Sequence, residues 1–196
     1  MSQANAAQAV LWVDGDAWRG PGGAVIPADV FGNSPTTGDT TPAAMSAFGG
    51  VKAGFNITPT QDVKSYDVWN NESGGPFFEH EGQTTTRIRF RVSQYSKAAI
   101  LTKLRGGSIT ETTAGAGQWR WNRGTEGDEF SLLLQLRGPG GRKMAFWIER
   151  AKLSQDPEEI KNDDDLDGWE FEITCLAPSI ESEAVVPLSN WNPLAA

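Results

Sequence analysis

The chain has 196 residues, 17 basic against 25 acidic side chains, a net charge of −8 and 38% apolar content. That balance argues against a nucleic-acid binder that works by neutralising phosphates, although not against a surface past which nucleic acid slides without sticking. A lone cysteine, Cys175, excludes an internal disulfide, and nothing approaches the roughly 18 consecutive apolar residues of a membrane-spanning helix.

Eight Trp and nine Phe among 22 Gly and 11 Pro suit a mainly β domain with many turns. The opening MSQANAAQAV has no basic start followed by an apolar run, so no secretory signal is expected. Residues 10–19 read as a short hairpin turning at Asp14-Gly15, with Leu11, Val13 and Trp18 as buried candidates. Residues 20–50 are rich in Gly and Pro and too long for an ordinary connection. Phe31, Met45 and Phe48 give this segment apolar anchors, which favours an arm ordered against a neighbour.

Phe55 and Ile57 then alternate with Asn56 and Thr58 until Pro59 bends or ends the strand. Residues 62–82 read as a polar and aromatic loop. It is longer than a compact domain tolerates without a use, and contact with another copy of the chain is expected. In residues 85–92, Ile88, Phe90 and Val92 alternate with Arg87, Arg89 and Arg91, a strand pattern. Ala98, Ile100, Leu101 and Leu104 recur at helical spacing, with Ser96 able to cap the start and Gly106 the end.

Residues 108–113 and 118–122 flank a glycine-rich turn. The clearest hairpin sets Phe130, Leu132, Leu134 and Leu136 against Met144, Phe146 and Ile148. Leu133 and Trp147 lie on the opposite faces, so both faces are expected to be covered. Residues 151–161 read as a turn or at most one helical turn. An acidic run at 162–168 leads into a strand with Trp169, Phe171, Ile173 and Cys175 inward and Glu170, Glu172 and Thr174 outward. The expected organisation is one β domain over 1–178 and a C-terminal arm over 179–196.

No set of residues predicts catalysis. Asp163, Asp165, Asp167 and Gly168 match the opening of a calcium loop, but its twelfth position is Thr174, inside a strand, where a bidentate carboxylate is required. A solvated acidic turn is the better reading. His80 is the one histidine and lies between glutamates, while Cys175 sits on an apolar strand face, so neither metal nor Cys–His chemistry is expected. Glu170 and Glu172 could be a glycosidase pair, yet the polar face of a half-buried strand needs no substrate. The Gly-rich pieces lack the strand–GxxxxGK[ST]–helix order of a phosphate loop. The row Arg87, Arg89, Arg91 favours a face turned toward a neighbouring subunit's carboxylates. The chain is thus read as a non-enzyme with no cofactor.

The order of parts resembles the major tail tube protein of long-tailed, siphovirus-type bacteriophages. The likeness rests on the N-terminal hairpin, on the long loop carrying Asp62-Val63-Lys64-Ser65-Tyr66 and Trp69, and on the strand–helix unit 85–104. It continues through the closing strands 129–176. It implies a β-sandwich or partial barrel with one flanking helix at about 96–105 and extended N- and C-terminal arms. Hexameric rings would stack into a tube, with DNA passing through the lumen without specific binding. The implied partners are the tape-measure, tail-tip and tail-terminator proteins. The implied location is the virion, after assembly in the host cytoplasm, with no membrane involved.

On this likeness the inter-ring contacts are Asp62, Lys64, Tyr66, Asp67, Trp69, Phe77, Phe78 and Glu79. Contacts within a ring are Arg87, Arg89 and Arg91, and the acidic lumen candidates are Glu149, Glu170 and Glu172. Two other readings stay open: a Trp-rich carbohydrate-binding module, and another virion ring protein such as a tail terminator or capsid decoration protein.

Overall fold

The computed structural model describes residues 9–31, 44–69, 75–124, 127–161 and 163–193. The fold is mainly β and antiparallel. Its centre is the hairpin of β7 (Phe130–Arg137) and β8 (Lys143–Leu153), closed by a 3-10 turn at Pro139–Gly141. Against β7 runs β1 (Asp14–Pro21), which carries the short β2 (Ser46–Ala47) on its other side.

The far side of β8 divides. Its first half pairs with β11 (Val186–Ser189) and its last residues pair with β10 (Gly168–Cys175). Beyond β10 lie β4 (Phe78–Val92) and β3 (Val51–Tyr66), while β9 (Glu158–Ile160) flanks the start of β10. A separate hairpin, β5 (Ser108–Glu111) with β6 (Trp119–Asn122), follows the helix α1 (Lys97–Lys103).

This one sheet folds over on itself. Leu132, Leu134 and Ile148 from the β7–β8 half meet Ile88, Phe90, Phe171 and Ile173 from the β4–β10 half in the main core. Phe48 enters the same core edge-on to Phe90, with ring centroids 5.2 Å apart. The reverse face of β1, β7 and β8 carries a second core of Trp18, Leu133 and Trp147, covered by Val30, Met45 and the β11 residues Val186 and Leu188. Both faces of β7 are therefore buried, as Leu133 and Trp147 predict, and burial of this kind is the main stabilising contribution.

Helix α1 begins where Ser96 Oγ accepts the Ala99 N–H at 3.1 Å. It ends as Gly106, at φ +72°, donates its N–H to Leu101 O at 2.8 Å. A Cβ at Gly106 would also lie 2.8 Å from Asp128 Oδ1, so glycine is required twice over.

Several expectations are corrected. Residues 10–19 form no hairpin: Asp14 and Gly15 lie inside β1, Trp18 is buried, and Leu11 and Val13 are exposed. Residues 151–161 hold strand rather than turn at both ends, as the end of β8 and as β9. Within residues 20–50, Phe31, Met45 and Phe48 anchor on their own chain. Gln135 fixes that segment further, taking Trp18 Nε1 and donating to Val30 O, both at 2.9 Å. Residues 32–43 of the expected arm lie outside the described residues. The C-terminal tail likewise docks on its own sheet through β11, and Trp191 packs on Trp12 with ring centroids 5.9 Å apart.

Candidate functional site: a projecting ribbon and a charged sheet face

The expected loop at 62–82 is mostly strand. β3 and β4 stay paired from Val51 opposite Val92 out to Tyr66 opposite Phe78, with register shifts after Lys52 and after Gln61. Up to Thr58 the pair belongs to the body, where Ile57 and Ile88 face the core. From Pro59 outward β3 is exposed on both faces, as are residues 75–81 opposite it. At the usual strand rise, residues 59–66 carry the ribbon about 25 Å beyond the body.

The ribbon holds its shape through cross-strand polar pairs. Gln61 Nε2 donates to Glu81 Oε2 at 3.2 Å, and Ser65 Oγ to Glu79 Oε1 at 3.4 Å. At its end Tyr66 and Phe78 pack with ring centroids 6.2 Å apart. Phe77, Phe78 and Tyr66 are 67%, 58% and 53% exposed, and Trp69 is fully exposed. Asp62, Lys64 and Glu79 line the strands below, and Asp67 follows Tyr66 at the turn. Every residue expected to make inter-ring contacts is thus on the exposed ribbon or its tip. Residues 70–74 lie outside the described ones. A two-stranded ribbon is marginal in isolation, and a cluster of exposed rings is characteristic of an interaction surface.

Among the described residues, no strand pairs with the outer side of β3. Its unpaired N–H and C=O groups are a template for a further strand.

The face of β3, β4 and β10 turned away from the core is laid out in cross-strand rows. Lys52 lies opposite Arg91 and Arg91 opposite Glu170; Asn56, Arg89 and Glu172 form the next row, and Thr58, Arg87 and Thr174 the third. Glu172 is nearly buried. It accepts Arg87 Nη1 at 3.0 Å and Arg89 Nε at 2.8 Å. Asp165 takes Arg91 Nη1 at 2.8 Å and Lys52 Nζ at 2.5 Å. Those two cations, Lys52 first, hold the Asp165 carboxyl down at about 2.

Arg87, Arg89 and Arg91 thus have carboxylate partners within their own chain, Glu172 for the first two and Asp165 for the third. Glu172 is corrected as a lumen candidate, because the two guanidiniums cover and neutralise it. So is Glu149, which is 1% exposed. Its Oε1 accepts the Ser179 N–H at 3.0 Å and the Ser179 hydroxyl, and its Oε2 accepts the N–H groups of Ile180 at 2.9 Å and Glu181 at 3.0 Å. The Ser179 hydroxyl and then these backbone donors hold the Glu149 carboxyl at about 2 against the opposing effect of burial. Glu149 is the clasp of the C-terminal segment. Sequence carries no sign of this, because the donors are backbone groups of a distant loop.

Glu170 remains exposed and sits directly across from Glu158 of β9, which is exposed too. Like charges set opposite each other on adjacent strands are unfavourable, so this pair is not there for stability. Beside it a depression of about 160 Å³ is lined by Arg89, Gln155, Glu158, Glu170 and Glu172.

The acidic turn is used internally. Asp165 binds Lys52 and Arg91, and Asp167 accepts the Tyr95 hydroxyl, which lowers its pKa. Among the described residues, no group of three or more His, Cys, Asp or Glu is arranged to hold a metal ion. His80 lies on the exposed ribbon opposite Lys64, and Cys175 is buried in the main core. No helix among the described residues is long and apolar enough to cross a membrane.

No protein-family model matches this sequence, and no curated protein matches it at a significant level.

Proposed function

We propose that the protein is a self-assembling structural component, the tail tube protein of a long-tailed bacteriophage, with no catalytic role. The observation that carries this reading is the β3–β4 ribbon. A long unpaired edge and a tip of exposed rings on one projecting element are liabilities for an isolated chain, and assembly covers both. The mainly β fold with a single flanking helix agrees with the family resemblance.

In a ring, the β3 edge of one copy would be covered by the free side of β9 in the next. Six copies would close a ring of inner strands and cover the β3 edge over the length of β9. The polar face of β3, β4 and β10 would then surround the channel. Glu158 and Glu170 supply its open carboxylates, and Glu172 offsets one of the two guanidiniums of Arg87 and Arg89. Cations and carboxylates on this face are thus in balance, which gives a passing phosphate backbone little net attraction. Tape-measure protein would fill the same channel before ejection, with tail-tip and terminator proteins at the two ends.

Negative-stain electron microscopy of the purified full chain, fresh and concentrated, tests the proposal. Tubes of uniform width with a central channel are expected. Discrete rings or trimers that never stack would instead favour a terminator or decoration protein. Monodisperse small particles that bind glycans would favour a carbohydrate-binding module.

A further inference from the structure

We infer that Glu158 of β9 is the receptor for Lys52 of β3 in a second copy of this chain, with Glu170 and Arg91 reinforcing the contact from the strands behind. The inference rests on the assembly reading above and names the residues that decide which edges meet.

These residues stand in one cross-strand row. Glu158 is the ladder partner of Glu170, Glu170 of Arg91, and Arg91 of Lys52. Direct partners on neighbouring strands project from the same face, so the row reads acid, acid, base, base from one free edge to the other. Both acidic members are exposed and, among the described residues, make no ion pair. At the basic end Asp165 serves both Lys52, at 2.5 Å, and Arg91, at 2.8 Å, so the cations there outnumber their carboxylate. The Lys52 side chain is 49% exposed. The other charges of this face lie off the row. Glu172 is shared by Arg87 and Arg89, Lys152 is opposite Thr174 at the far end of β10, and Asp163 and Asp164 sit on the turn outside every ladder.

Charge and strand sense select the occupant. β9, β10, β4 and β3 alternate in direction, so a copy displaced sideways along the row brings its β3 antiparallel to the free side of β9. Neighbouring strands lie about 4.8 Å apart, which sets Lys52 of that copy beside Glu158. The row then runs on across the junction with acid meeting base. The other edge contacts are penalised. β9 against β9 gathers the carboxylates of both copies, and β3 against β3 gathers their lysines and arginines. The Glu158–Glu170 pair, unfavourable within one chain, is compensated when the second copy arrives. A contact between two different patches is head to tail, and it closes a ring where the rotation allows.

The test treats a concentrated equal mixture of heavy-nitrogen-labelled and unlabelled full chain with a zero-length carbodiimide, which joins carboxylates to amines in contact. Links are mapped by mass spectrometry, mixed-isotope pairs report contacts between copies, and the same sample is imaged. A mixed-isotope link between residues 52 and 158 is expected, beside a same-isotope link between residues 52 and 165 as internal control. Glu158→Lys removes the repulsion at Glu170, so its melting temperature should be no lower than that of the parent. Sedimentation should nevertheless find its self-association about tenfold weaker. Self-association of parental strength in this variant overturns the contact. The 52–158 link without tubes would uphold the contact and remove the tail-tube reading. Tubes whose links map elsewhere would overturn the contact and leave the tube. The absence of any mixed-isotope link overturns the contact whatever the images show.

Discussion

The Oε2 atom of Glu149 accepts the backbone N–H of Ile180 at 2.9 Å, across 31 residues of chain. Together with the Ser179 and Glu181 donors, this bond makes a buried carboxylate the point at which the C-terminal segment is fastened. Because the folded pKa of Glu149 is about 2 rather than the ordinary 4.5, the ionised form favours the docked tail. Its contribution is complete above about pH 4.5 and fades as pH falls toward 2. Protection factors of the 179–181 amides, which divide out the intrinsic pH dependence of exchange, should therefore fall severalfold across that window. Glu149→Gln should show the lower protection already at neutral pH, with no further change between pH 4.5 and 2.

Arg19 provides a second internal fastening. Its Nη2 binds both Asp128 oxygens at 2.9 and 3.0 Å, its Nη1 donates to Thr102 Oγ1 at 2.9 Å, and its guanidinium lies 4.2 Å from the Phe130 ring centre. Arg19→Met strands a carboxylate that is only 18% exposed. Denaturant melts should register a loss of about 3 kcal/mol. Adding Asp128→Asn should restore part of it.

Replacing residues 67–77 by Asn-Gly, a two-residue turn between Tyr66 and Phe78, keeps the ribbon register and removes the tip. Stability should change by less than about 0.5 kcal/mol, because the described residues of this segment, 67–69 and 75–77, are exposed. Sedimentation of concentrated protein should find monomers alone. Polymers of ordinary length from this variant would overturn the assembly role of the ribbon.

Burial pushes the Cys175 thiol up to about 12. Near pH 8 an aromatic disulfide reagent should label the folded protein at least about a hundredfold more slowly than the denatured protein. A fast stoichiometric reaction without denaturant would contradict the core position of this residue.

The elements legible in the sequence are those with one apolar face and one polar face, or with a cap. Phe130 through Leu136, Trp169 through Cys175 and the Ser96-capped helix all have such a signature. The outer halves of β3 and β4 have no buried face, so no alternation marks them, and they read as loop. Gly15 misled for a different reason. Beside Asp14 it reads as a turn, yet a Cβ there would lie 3.0 Å from Gln135 O and 3.2 Å from the Phe55 ring, so glycine serves close packing inside a strand. Among the site residues, the exposed tip rings could be read from their setting in a polar segment. The fates of Glu149 and Glu172 could not, since each depends on donors brought in by distant chain.

The strand order also bears on how the chain comes off the ribosome. Asp14 of β1 must wait for Arg137 of β7, 123 residues later, before it finds its ladder partner. β3 and β4, neighbours in sequence, can pair long before that. Local pairings form quickly and distant ones slowly. The element with the open edge and the sticky tip is therefore present while the core that will carry it is still incomplete. In a cell translating many copies at once, that interval is when a premature strand exchange is most dangerous. The acidic residues along the ribbon, Asp62, Asp67, Glu79 and Glu81, then act first as mutual repellents between nascent chains.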